Sequence, residues 1–251
     1  MHPFFTSSRP LVFAHRGGAA LAPENTMEAF ANAVALGADG IELDVRLSRD
    51  GVVVVHHDAT VDRTTAGTGA VAAMSAAELA RLDVPALEDV LAQCPAARVI
   101  VELKVNTEEL ASGVVAAVRR TSAIERVCLG SFGLRVLRAA RALEPAMATS
   151  AAREEVRWAL YRSWVGWPAR HATYAGFQVP ERAGATRIVS KRFVDAAHRT
   201  GRGVQVWTVD REDVARRLLA WGVDALITDR PDLMVRVVRE VRVVPGVPEV
   251  P

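Results

Sequence analysis

The chain has 251 residues, of which half are hydrophobic, and a formal net charge of +2 with basic and acidic residues interspersed. This length and composition allow a substantial core in one large domain or two small ones, and no long Lys/Arg run is present that would follow a nucleic-acid backbone. Cys94 and Cys128 lie far apart without a CxxC motif, which argues against a zinc ribbon or a disulfide framework and favours two buried small hydrophobic residues.

The ends of the chain give separate expectations. The first ten residues lack a basic segment followed by a long apolar one, so they do not read as a secretory signal, and a cytoplasmic location is predicted. No apolar stretch approaches the ~18 to 20 residues needed to cross a bilayer. Residues 243–251 are rich in proline, and both termini are predicted to be loose tails.

Short β-branched runs alternate with longer helical segments along the chain, which is the pattern of repeated βα units around a parallel sheet. Eight strands are predicted, at residues 11–15, 40–47, 98–105, 127–132, 146–150, 174–179, 203–209 and 225–229. Eight helices are predicted, at residues 26–36, 87–93, 109–122, 134–143, 153–161, 191–200, 212–221 and 233–241.

Local signals mark several helix ends. The spacing of Asn25 with Glu28, and of Ser75 with Glu78, predicts a capping side chain and a glutamate that satisfy the free amides of a helix start. Thr26 is the alternative cap for the first of these helices. Three glycines are predicted to end helices: Gly37, Gly201 and Gly222.

Eight strand–helix pairs in ~250 residues are what a (β/α)8 TIM barrel requires. A doubly wound open sheet is the alternative, but it would not bring together polar side chains from so many strands. No repeat, linker or low-complexity block interrupts the alternation, so we predict a single domain over residues 1–251 with its core at about 11–242.

Polar side chains recur at or near the ends of the predicted strands. They are His15, Glu42 with Asp44, Glu102 with Lys104, Ser131, Gln178, Trp207 and Asp229. Because active sites of TIM barrels gather at the carboxyl ends of the strands, these residues are predicted to surround one site.

Three carboxylates are candidates for a metal site. Glu42 and Asp44 are two residues apart, so a strand would place both on one face, and Glu102 belongs to another strand. An all-oxygen cluster of this kind suits Mg²⁺ or Ca²⁺ better than zinc. The alternative is an ion-paired core network with Arg46 or Lys104.

Histidines at two strand ends can supply a general acid and a general base near neutral pH. His15 follows the first strand, while His56 and His57 both follow the run at residues 52–55. Alternation from Val55 would place these two imidazoles on opposite sides, so one of them is expected to face the site. A satisfied structural histidine is the alternative for each.

Six short motifs occur in order: His15-Arg16-Gly17, Glu24-Asn25-Thr26, Glu42-x-Asp44, His57-Asp58, Glu102-x-Lys104 and Trp207-Thr208-Val209. Each is weak alone, but the ordered combination is specific and resembles the glycerophosphodiester phosphodiesterase family. The resemblance spans roughly residues 11–233.

This resemblance implies a metal-dependent enzyme of lipid and glycerol metabolism that hydrolyses glycerophosphodiesters to an alcohol and glycerol 3-phosphate. It implies the same three metal ligands, with Mg²⁺ or Ca²⁺ left open, and it favours His57 over His56 because the family's His-Asp pair matches His57 and Asp58. His15 and His57 are thus the expected catalytic residues.

Arg16 and Lys104 are expected to hold phosphate oxygens, although Lys104 could instead only neutralise Glu102. Trp207 would line the substrate pocket, as the resemblance implies, with a buried core tryptophan as the alternative. Glu24 would orient Arg16 or contact the metal ligands. The expected partner is therefore a small-molecule phosphodiester.

The segment at residues 158–167 holds three of the five tryptophans and Tyr161. Peripheral membrane contact is one interpretation, and ordinary helix packing of Trp158 and Tyr161 is the favoured one. Other readings of function are a lysophospholipase D-like or phosphoinositol-diester phosphodiesterase and, less favoured, a non-catalytic phosphodiester-binding protein. The sequence predicts no particular oligomeric state.

Overall fold

The computed structural model describes residues 1–166 and 172–242. Apart from one short exposed hairpin, its strands coincide with the β-branched and aliphatic runs, whose side chains fit a pleated backbone buried on both faces. They are β1 (Leu11–Ala14), β2 (Gly40–Leu47), β3 (Val53–Val55), β4 (Arg98–Leu103), β5 (Val127–Gly130), β6 (Ala148–Thr149), β7 (Gly176–Pro180), β8 (Arg182–Ala183), β9 (Thr186–Arg187), β10 (Gly203–Trp207) and β11 (Ala225–Thr228).

Helices follow the strands of the main sheet and cover its outer surface. They are α1 (Met27–Ala35), α2 (Ala76–Ala80), α3 (Leu87–Gln93), α4 (Glu108–Arg120), α5 (Leu134–Leu143), α6 (Arg153–Val165), α7 (Lys191–His198), α8 (Glu212–Ala220) and α9 (Pro231–Arg242). Helix α6 runs four residues beyond the predicted end. Within the described residues, no helix combines the length and apolar character needed to cross a membrane.

Eight parallel strands form the barrel in the order β6, β5, β4, β2, β1, β11, β10, β7. A parallel bridge between Ser150 and Gly176 joins the two outer members and nearly closes the ring. The predicted (β/α)8 barrel is confirmed. Strand β3 pairs antiparallel with β2, Val45 opposite Val55, and this hairpin returns the chain to the rim beside Asp44.

The helix-start signals are only partly confirmed. Ser75 and Glu78 form the expected capping box at α2. At α1 the Thr26 hydroxyl accepts from the Ala29 amide, so Thr26 is the cap and the Asn25 alternative is wrong. Asn25 has a left-handed φ of 59° and its amide is committed to Asp44, which removes it from the helix end.

The expectation of a loose N-terminus is also wrong. Phe4 and Phe5 are almost fully buried and close the amino-terminal end of the barrel together with Phe13. Space for these rings comes from residues without side chains: a Cβ on Gly203 would lie 2.7 Å from Phe5 Cδ1, and a Cβ on Gly176 would lie closer still to the Phe5 ring. The predicted C-terminal tail at 243–251 lies outside the described residues.

Candidate active site

One cavity of about 610 Å³ opens at the carboxyl ends of the barrel strands. The predicted catalytic, phosphate-binding, metal-ligand and pocket residues all line it: His15, Arg16, Glu42, Asp44, His57, Glu102, Lys104 and Trp207. Asp229, also predicted at this edge, does not line the cavity but contacts His15. Ser131 and Gln178 also face it, as their places at strand ends suggested. The barrel therefore gathers side chains from distant parts of the sequence into one site.

The turn after β1 sets the positions of His15 and Arg16. Arg16 adopts a left-handed φ of 51°, which is unfavourable for a residue with a side chain. Its amide donates to Glu42 Oε2 at 3.0 Å, and its carbonyl accepts from the Asn25 amide at 2.9 Å. Gly17 follows with φ +85°, and a Cβ there would lie 2.6 Å from Ala29 Cβ, so the turn needs glycine.

Asp44 is the most heavily paired carboxylate of the site. Its oxygens lie 3.2 Å from Lys104 Nζ and 3.3 Å from Arg16 Nε, and Asn25 Nδ2 donates to it at 3.0 Å. The Lys104 ammonium thus pairs with Asp44, so the alternative in which Lys104 only neutralises Glu102 is not what the structure shows. Arg46 instead donates to the His57 carbonyl at 3.1 and 2.9 Å.

The remaining two carboxylates are held in surroundings that disfavour their charge. Burial, with added repulsion from Asp44, raises the pKa of Glu42 to about 7. Burial also raises the pKa of Glu102 to about 8; the Lys104 ammonium opposes this rise, and Glu42 and Asp44 add to it. Both groups would become stable carboxylates if positive charge were placed between them.

This donor set fits a hard divalent cation. Within residues 1–166 and 172–242, no three His, Cys, Asp or Glu side chains have a metal-ligating arrangement as they stand. The chemistry still matches, because Glu42, Asp44 and Glu102 offer only oxygens, and such ligands are preferred by Mg²⁺ and Ca²⁺. Burial raises the pKa of both Glu42 and Glu102, and a cation bound between them would favour their charged forms.

His15 is oriented by a carboxylate from the last barrel strand. Its Nδ1 donates to Asp229 Oδ1 at 2.8 Å, while its Nε2 lies 3.9 Å from Glu42 Oε2. Burial alone would lower the pKa of His15, but the Asp229 hydrogen bond and the nearby Glu42 charge outweigh it and raise the pKa. Asp210 fixes Asp229 in turn by accepting its backbone amide at 2.8 Å.

His57 has a second carboxylate partner. Its Nδ1 donates to Asp58 Oδ1 at 2.6 Å. His56 points away from the cavity, is buried, and donates to the Thr60 carbonyl at 3.0 Å. The two neighbouring imidazoles thus lie on opposite sides, as alternation predicted, and His57 is the one in the site.

An ion-pair chain connects His57 with Arg16 across the rim. Arg63 donates to Asp58 at 2.6 Å and to Glu24 at 2.6 and 3.0 Å, and Glu24 accepts from Arg16 at 3.0 Å. The Arg63 hydrogen bond lowers the pKa of Asp58 to about 2. Arg16 Nε remains buried with no aligned acceptor among the described residues, which leaves a donor for an anionic ligand.

The opposite wall of the cavity is apolar. Trp207 packs edge-on against Phe132 with ring centroids 6.1 Å apart. Val156, Val179 and Ile188 extend this surface toward α6. The cavity therefore has a charged half, which suits a phosphodiester, and an apolar half, which suits an apolar substituent of the substrate.

Comparison with known proteins agrees with these features. The glycerophosphoryl diester phosphodiesterase family model matches residues 15–233. The chain belongs to this family. It is 31% identical to a glycerophosphodiester phosphodiesterase from Caldanaerobacter subterraneus subsp. tengcongensis, over 92% of this chain and 99% of the relative. A glycerophosphodiester phosphodiesterase from Bacillus altitudinis is 32% identical, over 92% and 99%.

A solved structure of the same fold contains a product. It is a phosphodiesterase from Oleispira antarctica in complex with sn-glycerol-3-phosphate, 25% identical, with a TM-score of 0.73 over 92% of this chain and 97% of that one. The family assignment confirms the resemblance recognised in the six ordered motifs and establishes the chain as an enzyme of the phosphoric diester hydrolase type.

Three residues of the site have roles that the sequence did not reveal. Asn25, one of two candidate helix caps in the sequence, instead positions Asp44. The sequence places Asp229 at a strand end near the site but does not indicate that it orients His15, and nothing in the sequence indicates a role for Arg63. A signal existed for Asp229, since it ends the strand beside β1, but its pairing with His15 depends on how the ring closes.

Proposed function

We propose that this enzyme hydrolyses glycerophosphodiesters to an alcohol and glycerol 3-phosphate, using a divalent cation and acid–base catalysis by His15 and His57. One observation carries the proposal: a single cavity holds two histidines, each with its Nδ1 hydrogen-bonded to a carboxylate, beside a buried carboxylate cluster. The names of the relatives and the product bound to the Oleispira enzyme support the substrate class.

Glu42, Asp44 and Glu102 would hold the cation, which when bound supplies polarisation of the phosphoryl oxygens and offsets their charge. Arg16 and Lys104 bring two further cations to the phosphate, and the Nε–H of Arg16, which lacks an aligned hydrogen-bond acceptor among the described residues, is available to donate to it. The carboxylates at Nδ1 of both histidines leave each Nε2 free to exchange a proton with substrate or water.

In this scheme one imidazole removes a proton from the nucleophile, either water or a neighbouring hydroxyl of the substrate. The other gives a proton to the departing alkoxide, so the P–O bond to the alcohol breaks as the new bond to phosphorus forms. Water entering by either route completes a net hydrolysis. Asp229 and Asp58 stabilise the imidazolium that each proton transfer creates.

The test is choline and glycerol 3-phosphate release from glycerophosphocholine. Turnover should disappear with EDTA and return with Mg²⁺ or Ca²⁺. H15A and H57A should each lose on the order of 10² to 10⁴-fold in kcat. H56A is the matched control and should keep near wild-type turnover, because His56 faces away from the cavity.

Two results would contradict the proposal. Turnover that is unaffected by chelation would remove the cation from the scheme. Folded H15A and H57A variants with wild-type turnover would remove the histidines.

A further inference from the structure

Helix α6 is apolar on two faces. Its inner side packs on the core through Leu160. Its outer side carries Trp158, Tyr161 and Trp164, which are 62%, 54% and 54% exposed, and Val165 at 55%. We call these four residues the outer face of α6. Helix packing therefore does not account for Trp158 and Tyr161, and Trp167 lies outside the described residues.

The four residues recur at spacings of three and four, so they share one side of the helix. Large aromatic side chains are seldom left in water as a contiguous group without a partner. Tyr and Trp have an apolar body with a polar edge, which is the composition of surfaces that lie at a membrane–water interface. The outer face of α6 is therefore a candidate docking surface.

Positive charge surrounds this face. Arg153, Arg157 and Arg162 belong to the same helix, and among the described residues none of them forms an ion pair with a carboxylate. By contrast, Arg141 forms an ion pair with Glu155 of this helix at 2.8 Å. Glu154 is the opposing charge on the exposed side. The net positive charge is complementary to an anionic surface.

The helix that carries the outer face also borders the active-site cavity. Val156, Arg153 and Arg157 line the cavity from α6. The Arg153 guanidinium lies 5.0 Å from the centroid of the Phe132 ring, and Phe132 packs against Trp207 inside the cavity. A surface touched by α6 would therefore border the cavity mouth on its apolar side.

The exposed area distinguishes between occupants. Three aromatic rings of ~150 to 250 Å² each, a little over half exposed, offer on the order of 250 to 400 Å². A stable protein dimer needs ~800 Å² from each partner. A lipid surface has no such threshold, because each ring that enters the interface contributes separately.

We propose that the outer face of α6 docks the enzyme on anionic phospholipid surfaces and places the cavity mouth at the level of the headgroups. This extends the proposed function and, for its consequence for substrates, rests on it. The docked enzyme hydrolyses lysophospholipids, which are glycerophosphodiesters that carry one acyl chain, with the chain lying along the apolar half of the cavity. Water is added across the P–O bond, and the headgroup alcohol leaves.

The first experiment is co-sedimentation with vesicles of phosphatidylcholine alone and of equal parts phosphatidylcholine and phosphatidylglycerol. Wild type should bind the anionic vesicles and release from them at high salt. W158S/W164S should bind the anionic vesicles at least about ten-fold more weakly, since it lacks two rings that would be buried in the lipid interface. The matched control V34S/L143S removes two exposed apolar side chains from α1 and α5 and should bind like wild type.

Choline release is measured in the same samples. With lysophosphatidylcholine in the anionic vesicles, W158S/W164S should be about ten-fold slower than wild type. Both proteins should hydrolyse soluble glycerophosphocholine at equal rates, because neither tryptophan lines the cavity. Absence of glycerophosphocholine turnover in wild type would overturn the proposed function. The docking proposal would then be decided by the vesicle-binding result alone.

Three results overturn the docking proposal: wild type that does not bind anionic vesicles at low salt, W158S/W164S that binds as well as wild type, or a wild-type dimer in solution that the same substitutions convert to monomer. Vesicle binding without hydrolysis of lysophosphatidylcholine, alongside active glycerophosphocholine turnover, overturns the substrate consequence alone.

Discussion

Gly130 provides the sharpest test of how the carboxylate cluster is built. It is the last residue of β5, directly opposite Glu102 on β4. A Cβ at this position would lie 2.5 Å from Glu102 Oε2 and 2.9 Å from Gln178 Oε1, whereas ordinary contact begins at 3.4 Å. In G130A the Glu102 carboxylate must therefore move by about 1 Å, and a misplacement of that size costs on the order of 100-fold in rate.

We expect G130A to fold, because Gly130 does not use a left-handed φ, and to lose on the order of 1 to 3 kcal/mol of stability from overpacking. The assay is kcat/KM for glycerophosphocholine across a titration of Mg²⁺ or Ca²⁺. A shift of the metal requirement to higher concentration should accompany the loss of turnover, since the displaced group is a proposed ligand.

G113A is the matched control, since it makes the same change in α4, where the new Cβ would lie 3.0 Å from Val53 Cγ2 and far from the cavity. It should keep wild-type kinetics. A folded G130A with kcat/KM within about three-fold of wild type would refute the claim that Glu102 must sit in the space that Gly130 leaves.

Three further changes test separate parts of the molecule. D229N should lower kcat by about 100-fold with little change in KM, because His15 Nδ1 loses its carboxylate partner; steady-state kinetics that show equal kcat would exclude this positioning role. F5A should lower the free energy of unfolding by about 3 to 5 kcal/mol in urea titrations, since Phe5 is 2% exposed, whereas a loose tail would give a change near zero. R63Q should be less stable than wild type above pH 4.5, and the difference in their free energies of unfolding should shrink as the pH falls toward 2. The reason is that the Arg63 hydrogen bond holds the pKa of Asp58 at about 2, below its ordinary 3.8. The stabilisation from this hydrogen bond is therefore present above pH 3.8 and is lost on acidification. Denaturation curves that keep a constant gap between the two proteins over this range would contradict the R63Q assignment.

Much of the fold followed from local patterns. Alternation of β-branched runs with helical segments is a property of neighbouring residues, and a parallel sheet with helices between its strands has few ways to close. The same reasoning located the site, because residues that end parallel strands share one edge of the sheet. Histidine choice was also local: two consecutive side chains on an extended backbone point to opposite sides, which separates His56 from His57.

The partners of these residues depended on tertiary structure. His15 and Asp229 are 214 positions apart and meet only because β1 pairs with β11 when the ring closes. Phe5 resembles part of an irregular tail in sequence, but the barrel leaves a space above Gly203 that only a ring from elsewhere can fill. Asn25 is a residue type that often caps helices, but its side-chain amide donates to the buried Asp44 carboxylate instead. The sequence by itself determined which residues reach the carboxyl edge, since that follows from local period and strand direction. Which of them touch was decided by register across the closed ring, a long-range property that no local pattern carries.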